Sequence, residues 1–435
     1  MRYSIIERSA LEKAGTDMLA GKRIVVGVCG GIAAYKVADL VSKLRQAGAD
    51  VDVILTEHAA QFVSALTFSA LSQRPVYGDL WEATGEAAAR HISLAREADL
   101  LIVAPATANT VARLAHGMAD DLLTTVALAM AAPLVIAPAM ETNMYQHPAT
   151  QANLRTLAER GATIIPPEAG RLASGELGIG RLPETATLLA WISKILGARG
   201  DLAGARVVIT AGGTREPVDP VRYIGNRSSG LMGFALAEEA RDRGAEVTLI
   251  VGAVSVPLPP GVTIERVETT LQMRDATLAA AREADALVMA AAVADYRVEQ
   301  PATRKIKKGS AEENADGSLT LRLTANPDIL AEINALVVVG EAPRLIRAGF
   351  AAETDDLETN AATKLKRKGL DLLIANDVSK PGSGFGSETN EVTLLHANGE
   401  VERLDLAPKR EVASAIWDRI VPLLRRGQPR TPTGG

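Results

Sequence analysis

The chain has 435 residues, of which 47% are hydrophobic, 23% charged and 3% aromatic, and this length and composition predict two ordinary globular domains rather than one large domain or a disordered chain. The formal net charge of -5 at pH 7 argues against nucleic acid as the main partner. The single cysteine, Cys29, excludes an internal disulfide framework and a metal site made of several thiolates.

The two ends of the chain differ in composition from the rest. Residues 1–20, an N-terminal extension, mix charges with short apolar stretches and lack the continuous apolar run of a signal peptide. Residues 426–435 have no apolar periodicity and are predicted to form a flexible tail. Since no segment reaches about 18 uninterrupted apolar residues, we expect a cytoplasmic protein with no membrane contact.

Strands and helices alternate through the first half of the chain. Apolar, β-branched runs predict strands at residues 23–29, 51–55, 100–104 and 134–137. Gly30 and Gly31 end the first run, and residues 33–47 have helical spacing. Short buried strands separated by helices predict a parallel sheet with helices on both faces.

The same alternation restarts after a glycine-rich interruption at residues 197–204. A strand at residues 206–210 leads into a second glycine turn at Gly212 and Gly213. Further strands are predicted at residues 246–251, 286–290, 345–350 and 372–375. The polar stretch at residues 299–320 is predicted to be a loop or a hairpin arm.

We therefore predict an α/β chain of two tandem Rossmann-like, doubly wound parallel-sheet domains. The first spans residues 21–198 and the second spans residues 199–425.

The glycine turn at residues 30–33 joins the first strand to the first helix. Such a turn presents backbone N–H groups and the positive end of a helix dipole, which suit a phosphate. Glycine also meets purely steric needs in tight turns. Both interpretations stay open from the turn alone.

Residues 105–110 form a second candidate, directly after the strand at residues 100–104. Small side chains there let a planar ring approach the backbone, and Thr and Asn can hydrogen-bond a ligand at the carboxyl end of the strand. The same residues suit a helix N-cap and a loop.

With these residues the first half resembles the flavin-dependent cysteine decarboxylases. That family is marked by a Gly-Gly-Ile-Ala turn, a His-Ile segment, a Pro-Ala-Ser-Ala-Asn-Thr motif, a Pro-x-Met-Asn motif and a late Gly-x-Gly-Arg loop. The chain has the turn at residues 30–33, His91 before an Ile, Thr107 in place of Ser in the third motif, Pro138-Ala139-Met140, and a loop at residues 175–181.

The resemblance implies a flavodoxin-like flavoprotein domain with FMN as cofactor and His91 as catalytic base. In this family FMN oxidises the cysteine thiol to a thioaldehyde, CO2 leaves, and reduced flavin returns the hydride. A neutral imidazole suits the proton transfers. The implied cofactor-binding residues are Gly30, Gly31, Ile32, Ala33, Thr56, Pro105, Thr107, Asn109 and Thr110.

Two positions depart from the decarboxylase pattern. Glu141 follows Pro-x-Met where the family has Asn, and Ser174 stands where phosphopantothenoylcysteine decarboxylases have the Cys that protonates the ene-thiol. A carboxylate repels a substrate carboxylate unless it is protonated or paired, and an alcohol is a far weaker acid than a thiol. Asn143 can replace the amide if the loop is re-shaped. The catalytic site therefore either uses a variant donor involving Glu141 and Ser174 or has an impaired reduction step.

In the second half a long polar, glycine-rich loop at residues 210–230 joins a strand to a helix. Near its end Asn226 and two serines precede the predicted helix, where an oxyanion or a pyrophosphate is stabilised. A plain surface loop is the alternative.

Two lysine clusters follow this loop, one starting at Lys305 and one at residues 364–368, and Asp295 ends a strand before the first of them. An isolated lysine run is usually a solvated face. Two clusters in a chain of net negative charge favour a triphosphate.

The second half thereby resembles the bacterial phosphopantothenate–cysteine ligases. Seven motifs of that family occur here: Gly-Gly-Thr-Arg-Glu-Pro, Asn-x-Ser-Ser-Gly, Ala-Ala-Val-Ala-Asp, Lys-Ile-Lys-Lys, Asn-Pro-Asp-Ile, Gly-Phe-Ala-Ala-Glu-Thr and Ala-Asn-Asp-Val. The resemblance implies that Asn226 stabilises an acyl-nucleotide intermediate, that Lys305 contacts the activated nucleotide, and that Mg2+ is held mainly by the triphosphate. The implied CTP-binding residues are Gly212, Gly213, Thr214, Ala290, Ala291, Asp295, Lys305, Asn326, Pro327, Asp328, Ile329, Phe350, Lys364 and Lys368.

Together the two resemblances imply a bifunctional enzyme family of coenzyme A biosynthesis. Its ligase joins L-cysteine to 4'-phosphopantothenate with CTP through an acyl-cytidylate, and its decarboxylase converts the product to 4'-phosphopantetheine. The family also implies a homo-oligomer with ligase dimers and decarboxylase trimers, and a dodecamer stays open.

Two alternative functions differ from this bifunctional enzyme. In the first, an active ligase carries a flavin-binding oligomerisation module in place of a working decarboxylase. The second, a nicotinamide-dependent dehydrogenase, needs a Gly-x-Gly-x-x-Gly turn, and neither half has one.

Overall fold

The computed structural model describes residues 19–81, 90–307, 318–353, 357–377 and 386–427. Most of the predicted N-terminal extension and tail lies outside these ranges, as does the middle of the polar stretch at residues 299–320. Lys308, Thr354 and Val378, which belong to three of the ligase motifs, also lie outside.

Two compact units make up the described residues, and the chain passes from one to the other between Leu196 and Gly197. The sequence predicts a boundary between residues 198 and 199. Each unit is an α/β structure, which confirms the predicted fold class.

The first unit contains, in its described part, a six-stranded sheet that is parallel throughout. Its strands are β1 (Arg23–Val28), β2 (Asp50–Leu55), β3 (Val76–Tyr77), β4 (Leu100–Ala106), β5 (Leu134–Pro138) and β6 (Thr163–Ile164). They are ordered β3-β2-β1-β4-β5-β6. The direction of winding reverses between β1 and β4, so a ligand is expected beyond the carboxyl ends of these two strands.

Helices connect the strands of this sheet. They are α1 (Ala34–Gln46), α2 (Ala65–Ser72), α3 (Arg90–Glu97), α4 (Ala108–His116), α5 (Leu122–Ala129), α6 (Thr142–Gln146), α7 (Pro148–Glu159) and α8 (Thr185–Leu196). An antiparallel hairpin of β7 (Glu168–Arg171) and β8 (Leu177–Arg181) lies between β6 and α8.

Residues of β1 enter two hydrophobic cores in alternation. Ile24, Val26 and Val28 belong to one cluster of buried residues, and Val25 and Cys29 belong to another. Successive side chains of a strand point to opposite faces of the sheet. A strand with a core on each face therefore needs an uninterrupted apolar run, which is the pattern that the sequence has here.

The second unit contains an eight-stranded sheet in its described part. Its strands are β9 (Arg206–Ala211), β12 (Glu246–Val251), β13 (Thr263–Arg266), β14 (Ala286–Met289), β17 (Ile346–Glu353), β18 (Leu372–Asp377), β19 (Thr389–His396) and β20 (Val401–Pro408). They are ordered β13-β12-β9-β14-β17-β18-β19-β20, and the last two pairings are antiparallel.

Short strands and helices complete this unit. Two small hairpins pair β10 (Arg215–Pro217) with β11 (Tyr223–Gly225) and β15 (Tyr296–Val298) with β16 (Leu323–Ala325). The second hairpin flanks the polar stretch at residues 299–320, which is predicted to be a loop or a hairpin arm and of which residues 308–317 lie outside the described ranges. The helices are α9 (Leu231–Asp242), α10 (Thr270–Ala281), α11 (Ile329–Val338), α12 (Leu357–Lys368) and α13 (Lys409–Gly427).

Helix α13 packs along α9 and holds the antiparallel end of the sheet. Trp417 is fully buried, and its Nε1 donates to the carbonyl oxygen of Leu236 at 3.0 Å. Arg410 donates to Glu239 at 2.9 Å and to Asp242 at 2.5 Å. The contact between the two helices is therefore apolar at one end and ionic at the other.

No helix in the described ranges has both the length and the apolar character needed to span a membrane.

Candidate functional site

The first unit has a cavity of about 610 Å³ beyond the carboxyl ends of β1, β4 and β5. This is the edge at which the sheet order predicts a ligand. Of the residues predicted to bind the cofactor or to act in catalysis, those that line it are Gly30, Gly31, Ile32, Ala33, Thr107 and Glu141.

Gly30 and Gly31 serve different purposes in the turn before α1. A Cβ atom at Gly30 would overlap the Cβ atom of His58 and lie 2.9 Å from its carbonyl carbon, so glycine is required there for packing. A Cβ atom at Gly31 would meet only Cγ2 of Thr107, at 3.9 Å. Packing therefore does not explain Gly31, which is partly exposed and whose backbone is open to a ligand.

Thr107 has both of the roles that the sequence leaves open. It is the N-cap of α4, and its Oγ1 accepts from the backbone N–H of Thr110 at 3.3 Å. It also lines the cavity. Thr110 is buried behind it, with its hydroxyl 3.1 Å from that of Thr107.

Cys29 lies directly before the glycine turn and is buried. Burial raises the pKa of its thiol to about 11. The thiol therefore stays protonated near neutral pH, as expected of a core residue and not of a nucleophile.

The two departures from the decarboxylase pattern are in contact. Ser174 lies between β7 and β8, and its Oγ donates to Oε2 of Glu141 at 3.0 Å. Glu141 is partly exposed and lines the cavity. Glu141 and Ser174, the two residues that depart from the decarboxylase pattern, thus form one hydrogen-bonded carboxyl–hydroxyl pair.

Other residues predicted for this site do not line the cavity in the described part of the chain. Thr56 Oγ1 accepts from the backbone N–H of Ala59 at 3.3 Å, at the start of a short 3-10 turn. His91 lies on α3. The predicted residues that do not line the cavity are Thr56, His91, Pro105, Asn109, Thr110 and Ser174.

Three basic side chains line this cavity without a predicted role. Lys36 lies in the first turn of α1, and Arg171 and Arg181 come from the β7-β8 hairpin. Arg181 ends the Gly-x-Gly-Arg loop of the decarboxylase pattern, whereas nothing in the local sequence distinguishes Lys36 and Arg171 from solvated cations. A glycine turn with an open backbone, three cations and small residues fits the phosphate and the planar ring of FMN.

A cavity of about 530 Å³ lies in the second unit. It is bounded by the loop before α9, by the segment after β14 and by the ends of β17 and β18. The residues predicted for catalysis or CTP binding that line it are Asn226, Ala290, Ala291, Asp295, Phe350 and Lys364. Ser228 and Ser229 of the Asn-x-Ser-Ser-Gly motif also line it, next to the N-terminus of α9.

The glycine turn of this unit lies behind the cavity. Gly212 has a φ of +79°, which favours glycine, and Gly213 exchanges hydrogen bonds of 3.0 and 2.7 Å with Ala253. Thr214 is buried and accepts at Oγ1 from the backbone N–H of Ala294 at 2.9 Å. These residues hold the loop that carries Asn226, whose Nδ2 donates to the carbonyl oxygen of Val293 at 2.9 Å.

Lys305 is exposed and does not line the cavity in the described part of the chain. Both backbone polar groups of its neighbour Ile306 are hydrogen-bonded. The Ile306 N–H donates to Oδ2 of Asp219 at 3.1 Å, and its carbonyl oxygen accepts from Arg222 at 3.0 Å. Arg222 also donates two hydrogen bonds to the same Asp219 oxygen, at 3.0 and 2.6 Å. The Arg222 guanidinium, together with backbone N–H donors, holds the pKa of Asp219 well below its usual range. We call these three residues the Asp219 latch.

Three of the remaining residues predicted to bind CTP have side-chain contacts within the second unit. Asn326 donates to the carbonyl oxygen of Ala294 at 2.8 Å. Asp328 caps α11 and forms an ion pair with Lys368. The predicted residues that do not line the cavity are Gly212, Gly213, Thr214, Lys305, Asn326, Pro327, Asp328, Ile329 and Lys368.

Two polar residues that line the cavity, Lys409 and Asn390, lie outside the predicted motifs, and a third, Asn376, lies in the Ala-Asn-Asp-Val motif without a predicted role. Lys409, at the start of α13, is nearly buried, and its Nζ donates to the carbonyl oxygens of Ser387 and, at 2.9 Å, Thr389. Burial lowers its pKa. Asn376 and Asn390 lie beside it on β18 and β19. Because β19 and α13 follow β18 by an antiparallel return, the motif order gives no signal that they reach the cavity.

A third cavity, of about 650 Å³, is lined by residues of β12, β13 and α10, together with Arg215 of β10 and Glu268 before α10. None of the predicted site residues lines it. Elsewhere in the described ranges, no cluster of three His, Cys, Asp or Glu side chains is arranged to hold a metal ion.

Two family models match the chain. The model described as DNA/pantothenate metabolism flavoprotein C-terminal domain matches residues 202–423, and the model described as flavoprotein matches residues 12–197.

Several curated relatives match over nearly the whole length. The coenzyme A biosynthesis bifunctional protein CoaBC of Vibrio cholerae is 47% identical over 402 residues, covering 92% of this chain and 98% of the relative. The proteins of the same name from Escherichia coli and Mycobacterium tuberculosis are each 46% identical, covering 93% of this chain and 97% of the relative.

Solved structures match each half separately. The C-terminal domain of a CoaBC protein is 35% identical with a TM-score of 0.43, covering 52% of this chain and 99% of that chain. The FMN-dependent cysteine decarboxylase SpaF is 33% identical with a TM-score of 0.37, covering 41% of this chain and 97% of that chain.

Proposed function

The chain belongs to the family of coenzyme A biosynthesis bifunctional proteins, and from this membership we propose that its two units catalyse two successive steps. The second unit joins L-cysteine to 4'-phosphopantothenate with CTP and Mg2+, and the first decarboxylates the product to 4'-phosphopantetheine with FMN. We assign these units to residues 21–198 and 199–425.

The observation that carries the ligase proposal is the cavity of the second unit. It brings Asn226, Asp295 and Lys364 together from three distant segments of the sequence, next to two serines at the N-terminus of α9. A helix N-terminus and a lysine both favour the negative charge of a triphosphate.

The chemistry of the ligase follows from the weak reactivity of a carboxylate. Attack of the 4'-phosphopantothenate carboxylate on the α-phosphate of CTP makes an acyl-cytidylate and releases pyrophosphate, and the cysteine amine then opens this mixed anhydride. Asn226 stabilises the acyl-nucleotide, and Lys364 and Lys305 offset the charge that develops on the phosphates. Mg2+ would be held mainly by the triphosphate.

The decarboxylase proposal is supported by the cavity at the glycine turn. Gly31 and Thr107, together with Lys36, Arg171 and Arg181, would hold FMN. Bound FMN would take a hydride from the substrate and later return it. Glu141 faces the same cavity and is positioned to meet the substrate.

We propose that the assembly is a homo-oligomer of ligase dimers and decarboxylase trimers. Lys305 and His91 have predicted catalytic roles but lie apart from the cavities of their own units. A neighbouring subunit that contributes these residues accounts for this.

The ligase is tested by substituting Lys364. We expect Lys364→Met to lower kcat/KM for CTP by about 10- to 100-fold, because a hydrogen bond to a charged group contributes about 1.5–3 kcal/mol. Pyrophosphate release with CTP, 4'-phosphopantothenate and cysteine is the measurement. Lys366→Met, on the exposed side of the same helix, is the matched control. Equal loss in both variants, or wild-type activity that does not depend on CTP, would contradict the proposal.

A further inference from the structure

A carboxyl group and a hydroxyl group meet at the edge of the first cavity. Ser174 Oγ donates to Oε2 of Glu141 at 3.0 Å, and the backbone N–H of Glu176 lies 3.4 Å from the same Ser174 oxygen. Ser174 is exposed between two strands of a hairpin, whereas Glu141 lines the cavity. The hydroxyl therefore engages one oxygen of the Glu141 carboxyl group and leaves Oε1 for contact with a ligand.

Glu141 is the one carboxylic acid among the described residues that line this cavity. The other ionisable side chains that line it are those of Tyr35, Lys36, Arg171 and Arg181. A carboxylic acid releases its proton far more readily than a phenol, an ammonium group or a guanidinium group. Glu141 is thus the strongest acid that the cavity offers.

The proposed decarboxylation consumes one proton. The bond between the α-carbon and the carboxyl group breaks, CO2 leaves, and a C–H bond replaces it on the α-carbon. Bound FMN would take a hydride from the β-carbon and return it to that carbon, so substrate and product would have the same oxidation level apart from the lost CO2. A proton donor to the α-carbon is the remaining requirement.

A donor role requires Glu141 to carry its proton when CO2 has left. The substrate brings its own carboxylate into the cavity, and two carboxylates at one site disfavour joint ionisation. The hydrogen bond from Ser174 and the cations Lys36, Arg171 and Arg181 of the same cavity act in the opposite direction. Glu141 is partly exposed and can therefore exchange a proton with solvent.

We propose that Glu141 is the catalytic acid that delivers this proton to the α-carbon and that Ser174 is a positioning residue that orients the carboxyl group. This inference rests on the proposed decarboxylase function of the first unit. It gives Glu141 and Ser174, the two departures from the decarboxylase pattern, a joint role. The carboxyl group donates the proton, because an alcohol alone is too weak an acid to do so.

The first test is the identity of the product after a single turnover without oxygen. The full-length, FMN-loaded protein is mixed with 4'-phosphopantothenoylcysteine, and CO2 and the thiol product are measured. Glu141→Gln can still accept the Ser174 hydrogen bond but has no acidic proton. We expect it to release CO2, to leave the flavin reduced, and to lower the yield of saturated 4'-phosphopantetheine by about 100-fold or more in favour of the ene-thiol.

Two further variants make this test selective. Adding Ser174→Cys to Glu141→Gln supplies a thiol, a much stronger acid than an alcohol, and is expected to restore the saturated product. Glu176→Gln removes the same charge from the next turn of the chain and is expected to behave as wild type. Three results would each overturn the proposal. The first is that Glu141→Gln gives saturated product at the wild-type yield. The second is that it loses CO2 release while still binding FMN and substrate, and the third is that the added cysteine does not restore the saturated product.

The second test measures protonation without turnover. An S-methylated 4'-phosphopantothenoylcysteine keeps the carboxylate but cannot be oxidised to the thioaldehyde. Calorimetric titrations of the FMN-loaded protein in buffers of different ionisation enthalpy give the number of protons taken up on binding. We expect wild type to take up more protons than Glu141→Gln, by up to one per site, and equal uptake would overturn the proposal. If wild type releases no CO2 from the true substrate, the decarboxylase function fails, while the uptake still reports on Glu141.

Discussion

At the residue scale, the neighbouring glycines of the first turn give a matched pair of substitutions. Gly30→Ala places a Cβ atom against His58, whereas Gly31→Ala adds a methyl group to open space beside Thr107. We expect Gly31→Ala to keep the thermal midpoint of wild type and to weaken FMN binding by about tenfold or more, because the methyl group fills the position where a ligand approaches the backbone. Flavin fluorescence titration gives the affinity.

Gly30→Ala is the other half of this comparison. We expect it to lower the thermal midpoint, because the clash with His58 involves backbone atoms that cannot move aside. A Gly31→Ala variant that unfolds as readily as Gly30→Ala would show that the second glycine is also a packing requirement.

Asp219 gives a prediction about pH. Its pKa is lowered in the folded protein by hydrogen bonds from Arg222 and from backbone N–H groups. Because this pKa is lowered on folding, the latch contributes its full stability at pH values above the ordinary pKa of Asp. This contribution is lost as the pH falls from the ordinary pKa of Asp toward the pKa of Asp219 in the folded protein. We therefore expect the thermal midpoint of Asp219→Asn to lie below that of wild type from pH 8 to about pH 5, with the difference shrinking below about pH 4.

The Asp219 latch also holds the backbone next to Lys305, so Asp219→Asn is expected to lower the ligase kcat at pH 7. Asp405→Asn, at an exposed aspartate of the same unit, is the control for the loss of one charge. A midpoint difference for Asp219→Asn that stays constant into strong acid would mean that the carboxylate charge is not what stabilises the latch.

At the element scale, the apolar runs predict the central parallel strands, but they predict neither the short parallel strands β3, β6 and β13 nor the antiparallel return. β12 (Glu246–Val251) was predicted with its observed bounds, because a strand buried on both faces has few polar residues. β20 (Val401–Pro408) alternates exposed and partly buried residues at the edge of the sheet. Its sequence lacks the apolar run that identified the others, and so Lys409 after it was missed at the site.

The ionic contact between α13 and α9 yields a stability prediction. Arg410 makes close ion pairs with Glu239 and Asp242, both of which are mostly buried. Arg410→Met removes one of two cations from each carboxylate, because Glu239 also pairs with Arg243 and Asp242 also pairs with Arg241. We expect a loss of roughly 2 kcal/mol, below the roughly 3–5 kcal/mol of breaking a fully buried pair, because a second arginine remains and Arg410 is itself partly exposed.

Chemical denaturation of the full-length protein, followed through the transition of the second unit, measures this loss in the free energy of unfolding. Arg282→Met, which removes an exposed pair with Glu341, should cost about 1 kcal/mol or less. Equal costs for the two substitutions would mean that the helix contact depends on its apolar residues and not on the ionic cluster.

At the scale of the whole molecule, the two compact units suggest that the two ligands act on separate unfolding transitions. We expect FMN at about 100 times its Kd to stabilise one transition by about 2.7 kcal/mol and CTP with Mg2+ to stabilise the other by a similar amount. Differential scanning calorimetry at fixed protein concentration is the measurement. A single transition that shifts with either ligand would indicate that the units unfold together.

The candidate sites could be predicted in part from sequence, because a glycine turn after a strand and the motif segments are local features. What could not be predicted is which distant side chains the fold brings to each cavity. The contact between Glu141 and Ser174 depends on the β7-β8 hairpin, and the lining role of Lys409 depends on two antiparallel strands. In both cases residues that are far apart in sequence come together because of the topology of the sheet and hairpin.

A coupled assay of the FMN-loaded protein tests whether one chain carries out ligation and then decarboxylation. The protein is given 4'-phosphopantothenate, L-cysteine, CTP and Mg2+, and pyrophosphate, CO2 and the final thiol are measured together. We expect equal amounts of pyrophosphate, CO2 and saturated 4'-phosphopantetheine. Pyrophosphate with accumulating 4'-phosphopantothenoylcysteine and no CO2 would contradict it and would leave the first unit as a flavin-binding module.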